Sequence, residues 1–224
     1  MLRARFRVSL ARIDHLLPVP AASITDPAWL HTQLDATARR YRLDRPASVG
    51  VLWWYSVSSV LLGPPVESLA RGGPVADPAL AAVTLLLHPD GRVLDARSSG
   101  VVPAGQMGER LGAALSAAVD GVVAASGAPE RALWAITTDS LANRALWAGA
   151  SPRLAVEIAA SLGRSLPAPR YVSVGGSRVV RRASCCLIFQ ARGESKCVSC
   201  PRQHPDERDR RLRTAFGYAG GTTR

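Results

Sequence analysis

The chain has 224 residues, 47% hydrophobic and 20% charged, a balance that excludes a disordered or fibrous polypeptide and allows one cored body plus a small module. Its formal net charge is +11, and of the 28 basic residues only Lys196 is a lysine. An arginine bias of this kind, beside abundant alanine, follows from a GC-rich coding sequence, so the total charge does not by itself call for a nucleic-acid partner.

The opening stretch MLRARFRVSLARIDHLLPVP starts basic, as a secretory leader does. Arg12, Asp14 and His15 interrupt its apolar part and no small-residue cleavage site follows, so a cytoplasmic protein is expected, with a peripheral position at the inner membrane as the variant. Asp26-Pro27 predicts a helix to about Tyr41, with aspartate as N-cap, proline at the first helical position and a buried stripe of Trp29, Leu30 and Leu34. The longest apolar run, residues 49–62, is shorter than the roughly 20 residues that span a bilayer, and serines interrupt it. It predicts a buried helix and no membrane span. A proline- and glycine-rich loop is expected from Gly63 to about Pro78.

Residues 82–98 predict a β-hairpin around Pro89-Asp90-Gly91, where glycine supplies the positive φ of the turn. Three helices follow, at 106–125, 130–148 and 151–162, the last capped by Ser151-Pro152. Asp139 and Asn143 lie four apart on the second of these, and an exposed face or a helix-internal hydrogen bond is favoured over ligand binding. Pro167 and Pro169 mark a boundary, after which YVSV and SRVVRR flank Gly175-Gly176 as a second hairpin. The tail 206–213, with interleaved charges, reads as a solvated helix. The expected fold class is α+β: a mainly helical body with short antiparallel hairpins over 1–169, and a small C-terminal module over 170–224.

All four cysteines, Cys185, Cys186, Cys197 and Cys200, fall in that module with the spacing C-C-x10-C-x2-C. In a reducing compartment this clustering favours a metal or redox site over structural disulfides. Cys197-Val198-Ser199-Cys200 is a common metal hook, and Pro201 restricts the chain as it leaves. The adjacent pair discriminates more. Neighbouring strand side chains point to opposite faces, so the backbone must turn for both thiols to serve one site. Two irons accept such a pair more readily than one zinc does. An iron–sulfur cluster, a structural zinc and a redox disulfide pair remain open on spacing alone. The positive charge concentrates here: Arg170, Arg178, Arg181, Arg182, Arg192, Lys196, Arg202, Arg208, Arg210, Arg211 and Arg213 face four acids (Glu194, Asp206, Glu207, Asp209), a net +7.

Arg181-Arg182-Ala183-Ser184-Cys185-Cys186-Leu187 and, ten residues after the pair, Cys197-Val198-Ser199-Cys200-Pro201 resemble the C-terminal signature of the FhuF-type ferric iron reductases. The resemblance covers roughly the last quarter of the chain, with a looser likeness at Trp53-Trp54-Tyr55 and at residues 139–143. It implies a [2Fe–2S] cluster on Cys185, Cys186, Cys197 and Cys200, one-electron reduction of a ferric siderophore, and release of Fe(II). Arg181, Arg182, Lys196 and Arg202 adjoin these cysteines in sequence and are candidates for tuning the potential or docking an anionic partner. With no G-x-G-x-x-G fingerprint after a predicted strand, the electron is expected from a donor protein such as a ferredoxin. Core packing is favoured for Trp53, Trp54 and Tyr55 over a siderophore pocket, and His15, His31, His88 and His204 read as surface or turn residues. Two rival readings are a zinc-stabilised nucleic-acid-binding protein and a non-catalytic siderophore-handling accessory protein.

Overall fold

In the computed structural model the first helix, α1 (Pro27–Tyr41), opens as its sequence predicts: the Asp26 carboxylate accepts from the Ala28 amide at 2.9 Å and Pro27 sits at the first position. The structure describes residues 15–164 and 166–216. The basic opening residues up to 14, on which the leader reading rests, lie outside them.

α2 (Pro46–Leu61) is buried on nearly every face, with Trp54 fully enclosed. It runs through Leu62, itself helical in φ and ψ, into α3 (Gly63–Ala70). The expected loop is therefore partly a helix. Pro64 and Pro65 fall in the first turn, where a missing amide proton costs nothing, so the residues that signal a break here begin an element instead. The combined stretch Pro46–Ala70 is long and apolar enough to cross a membrane by length and composition, but 78% of its apolar window is buried within the protein. It is the central helix of the body.

Among the described residues three small antiparallel sheets accompany the helices. β1 (Leu17–Pro20), β3 (Val83–Leu87) and β4 (Val93–Ser98) pair in the order β1-β3-β4, and β2 (Val75–Ala76) pairs with β5 (Val101–Val102). The 82–98 hairpin stands as expected, with Gly91 at φ 89°. β1 carries two prolines and lies at a sheet edge, where proline amides are not needed by a second neighbour.

The remaining helices are α4 (Ala104–Ser126), α5 (Glu130–Trp147) and α6 (Pro152–Ser161), close to the predicted spans. α5 crosses α2, and the crossing is fastened by polar groups inside the core. Trp54 Nε1 donates to the Leu133 carbonyl at 3.0 Å and to Thr137 Oγ1 at 3.1 Å. Ser58 and Ser140 hydroxyls meet at 2.9 Å. Around them Leu133, Ile136, Leu141 and Val57 are almost fully buried, each such side chain stabilising the fold by about 1.5–3 kcal/mol. Gly112 lets α4 close on the end of α6, since a Cβ there would lie 2.6 Å from the Leu162 carbonyl oxygen.

The second predicted hairpin is present as β6 (Tyr171–Val174) and β7 (Ser177–Val180), and the charged tail is helix α7 (Pro205–Phe216), mostly solvated with Leu212 buried. β7 packs on α5, and Cys186 and Ala191 join the same core cluster as the body helices. The architecture is α+β and mainly helical.

Candidate metal centre

The hairpin delivers the chain to the site. Arg181 donates its amide to the Arg170 carbonyl at 2.8 Å, prolonging the ladder by one step. Beyond it the backbone of residues 183 and 184 has no strand partner, and a side chain from α5 takes that place. Asp139 Oδ1 accepts from the Ala183 amide at 2.9 Å, and Oδ2 accepts from the Ser184 amide at 2.9 Å and the Ser184 hydroxyl at 2.5 Å. Asp139 is 3% exposed. The expectation of an exposed face or a helix-internal bond is thus wrong for Asp139. It holds for Asn143, whose Nδ2 donates to the Asp139 carbonyl at 3.0 Å. A buried carboxylate needs partners, and here they come from a segment more than forty positions away.

Arg182 is buried beside it, with Nε 3.5 Å from Asp139 Oδ2, an ion pair too loosely aligned to be a hydrogen bond. Its guanidinium lies 4.7 Å over the Tyr55 ring from α2, and Nη1 donates to Cys197 Sγ at 3.5 Å. Burial pulls the Arg182 pKa down, but the neighbouring Tyr55, Cys186, Asp139 and Cys197 groups more than offset this, so the guanidinium stays charged. Burial also raises the Tyr55 pKa. Trp53 and Trp54 are core residues as expected, whereas Tyr55 turns its ring to the metal site.

The vicinal cysteines require a backbone turn, and it falls directly after them. Leu187 has φ 61°, in the left-handed region uncommon for a side-chain-bearing residue, and Ile188–Gln190 forms a 3-10 turn. Cys185 thereby reaches Cys200, Sγ to Sγ 3.6 Å. Cys186 hydrogen-bonds the Cys197 sulfur, which with the Arg182 charge outweighs burial and lowers the Cys197 pKa to about 6. The Cys186 thiol, donating that bond and buried, is raised, and burial raises Cys200 as well.

The second pair sits on a turn closed by the Cys200 amide donating to the Cys197 carbonyl at 3.0 Å. Gln203 clamps it. Its Nε2 donates to the carbonyls of Cys197 (2.8 Å), Val198 (3.2 Å) and Cys200 (3.4 Å). Arg211 from α7 donates to Gln203 Oε1 at 2.7 Å and to the Lys196 carbonyl at 2.9 Å. Gln203 is not picked out by the sequence reading, and Asp139 is weighed there only as an exposed or helix-internally bonded residue, not as a clamp. The available signal for Asp139 is that it is the sole charged residue of α5 between Arg131 and Arg144, in a stretch where Ile136–Ala142 is otherwise small or apolar.

Of the four basic residues singled out beside the cysteines, Arg182 alone is brought onto a sulfur. Arg181 is exposed. Lys196 is exposed with Nζ donating to the Arg202 carbonyl at 2.9 Å, and Arg202 is exposed with its guanidinium 5.9 Å over the Phe189 ring. His204 is solvent-exposed near Asp206, and His88 bonds within its turn to Asp90, so both act as predicted.

Among the described residues no three His, Cys, Asp or Glu side chains surround a single metal-ion position. Cys185 and Cys200 meet as a pair instead, and Cys197 sits against Arg182. Four thiols gathered beside a buried guanidinium whose Nε and Nη2 lack hydrogen-bond partners suit an anionic two-iron cluster, which binds through thiolates and takes hydrogen bonds at sulfur. No curated protein matches the chain. Residues 182–202 match the family model of the FhuF 2Fe-2S C-terminal domain, a span that contains Arg182 and all four cysteines. The chain therefore carries a FhuF-type 2Fe-2S C-terminal domain, and its cofactor is a [2Fe–2S] cluster.

Proposed function

We propose that this protein is a ferric siderophore reductase of the cytoplasm, in which Cys185, Cys186, Cys197 and Cys200 ligate the cluster. The observation that carries this reading is the matched domain at residues 182–202, with its four thiols gathered at a partly exposed, positively charged edge. Siderophores hold Fe(III) through hard oxygen donors far more tightly than Fe(II), so one electron is enough to release the metal. When bound, the cluster supplies single-electron transfer.

The chain's own residues do the rest. Asp139 and Gln203 fix the two cysteine segments, and a site held this way reorganises little when its charge changes. Cys185 and Cys197 are partly exposed, while Cys186 and Cys200 are buried. A substrate or donor thus meets one side of the site while the core seals the other. Arg181, Lys196 and Arg202 on the exposed surface attract an anionic ferric complex or an acidic donor such as a ferredoxin, in a salt-dependent way. Residues 170–224 act as the cluster module, docked through β7 and Asp139 on a body over 1–169 that offers the siderophore a surface.

The test is anaerobic reduction of a panel of ferric hydroxamates and ferric catecholates by cluster-loaded protein, with Fe(II) trapped by a ferrous chelator. Expected is stoichiometric single-electron turnover, lost together with the visible absorption in Cys197→Ser. Cluster-loaded, reduced protein that transfers no electron to any ferric complex would sink the reductase reading. A colourless protein holding one zinc would sink the cluster as well.

A further inference from the structure

A [2Fe–2S] site has two irons with two thiolates each, and the geometry says how the four cysteines divide. Two sulfurs bound to one tetrahedral metal at about 2.3 Å stand roughly 3.8 Å apart. Cys185 Sγ and Cys200 Sγ are 3.6 Å apart, one edge of such a tetrahedron. With Cys185 and Cys200 on one iron, Cys186 and Cys197 are the two thiols left for the other. Each iron would therefore bind one residue of the vicinal pair and one of the C-x2-C hook. This crossed arrangement lets Cys185 and Cys186 diverge to different irons, as neighbouring side chains do.

The two halves have different surroundings. Among the described residues Arg182 is the cationic side chain in hydrogen-bond contact with a cysteine sulfur, and that sulfur is Cys197. Its position is fixed by Asp139 on one side and the Tyr55 ring on the other. A fixed positive charge and an N–H···S bond stabilise the more negative state of whatever they touch, and the effect weakens with distance.

We propose that Cys186 and Cys197 hold one iron and Cys185 and Cys200 the other, and that Arg182 makes the Cys186/Cys197 iron the one that becomes ferrous on reduction. In that step one electron from an external one-electron donor converts the Fe(III)–Fe(III) pair to Fe(II)–Fe(III). No bond breaks, and the added negative charge lies nearest the guanidinium. The inference rests on the cluster and not on the ferric substrate, so it stands or falls independently of siderophore reduction.

Dithionite-reduced protein, labelled with 13Cβ cysteine and assigned by paramagnetic NMR, reads the division directly. The β-protons of Cys186 and Cys197 are expected to shift together with the inverse temperature dependence of ferrous ligands, and those of Cys185 and Cys200 with the normal ferric dependence. Any other pairing, or the ferrous signature on Cys185 and Cys200, overturns the proposal. In Arg182→Gln the reduced form is expected to lose at least tenfold in its equilibrium with the oxidised form, a fall of about 59 mV for one electron, with partial scrambling of the ferrous signature. Arg181→Gln, which removes an exposed charge, is expected to shift it by a small fraction of that. An Arg182→Gln potential equal to wild type would refute the role given to Arg182. Should Arg182→Gln fail to hold a cluster, the wild-type temperature dependence decides alone.

Discussion

The two cysteine segments of the site are held by different kinds of interaction. The Cys197–Cys200 hook is tied by near neighbours: Gln203 grips three of its carbonyls, and Arg211 backs Gln203 from the first helix downstream. The Cys185-Cys186 segment is tied to the body, through a carboxylate on α5 that accepts both amides leading into it. A local clamp forms wherever that short sequence folds. A long-range clamp forms only after α5 is packed against α2, because the carboxylate must be buried and aimed before it can bind. The first arm is a property of the module, and the second makes cluster assembly depend on the body.

That contrast can be broken from either side. The largest effect is expected for Asp139→Ala, which leaves the Ala183 and Ser184 amides without their acceptor and the buried Arg182 guanidinium without its ion-pair partner, at a cost of about 3–5 kcal/mol. Thermal denaturation should show the loss, and iron and sulfide content should fall with it. Wild-type iron content and stability in this variant would mean that the module organises its own vicinal pair. Gln203→Ala comes next, freeing three carbonyls for about 1–3 kcal/mol. Amide exchange should accelerate at residues 197–203 while 182–186 stay protected, and acceleration at both would erase the distinction between the arms.

Tyr55→Leu removes the ring beneath Arg182 but keeps an apolar contact, and is expected to cost roughly 0.5–2 kcal/mol, read by chemical denaturation. Retained stability with a lowered midpoint potential would instead place the ring's role in orienting the charge. The smallest change is expected for Leu187→Gly. Glycine relieves a left-handed residue by about 1–2 kcal/mol, and the loss of a half-buried leucine of comparable worth offsets it. A melting temperature within a degree or two of wild type checks this, and a large drop would show that Leu187 packing dominates over its backbone.

Where elements failed to be read, the cause can be named. Residues 63–78 combine glycine and prolines that mark loops, yet Pro64 and Pro65 occupy the only turn of a helix that tolerates them, so α3 was hidden. β1 was hidden for the same reason, its two prolines being acceptable only because it lies on a sheet edge. Tyr55 shares an apolar run with Trp53 and Trp54, and nothing in that run distinguishes the ring that faces a guanidinium from those that face the core.

The sequence by itself determined every helix but α3, the caps at Asp26 and Ser151, both hairpins, and the identity and spacing of four thiols, because these depend on residues a few positions apart. That local pattern, with its flanking arginines, was enough to recognise the cluster domain. Only the tertiary structure decided that Asp139 is a buried clamp and that Arg182, among four candidate cations, is the one on a sulfur. It also decided that Cys185 of the vicinal pair reaches Cys200 of the hook. The physical reason is common to all three. A buried charge is stable only beside its partners, and those partners lie on segments that meet only when the core has formed.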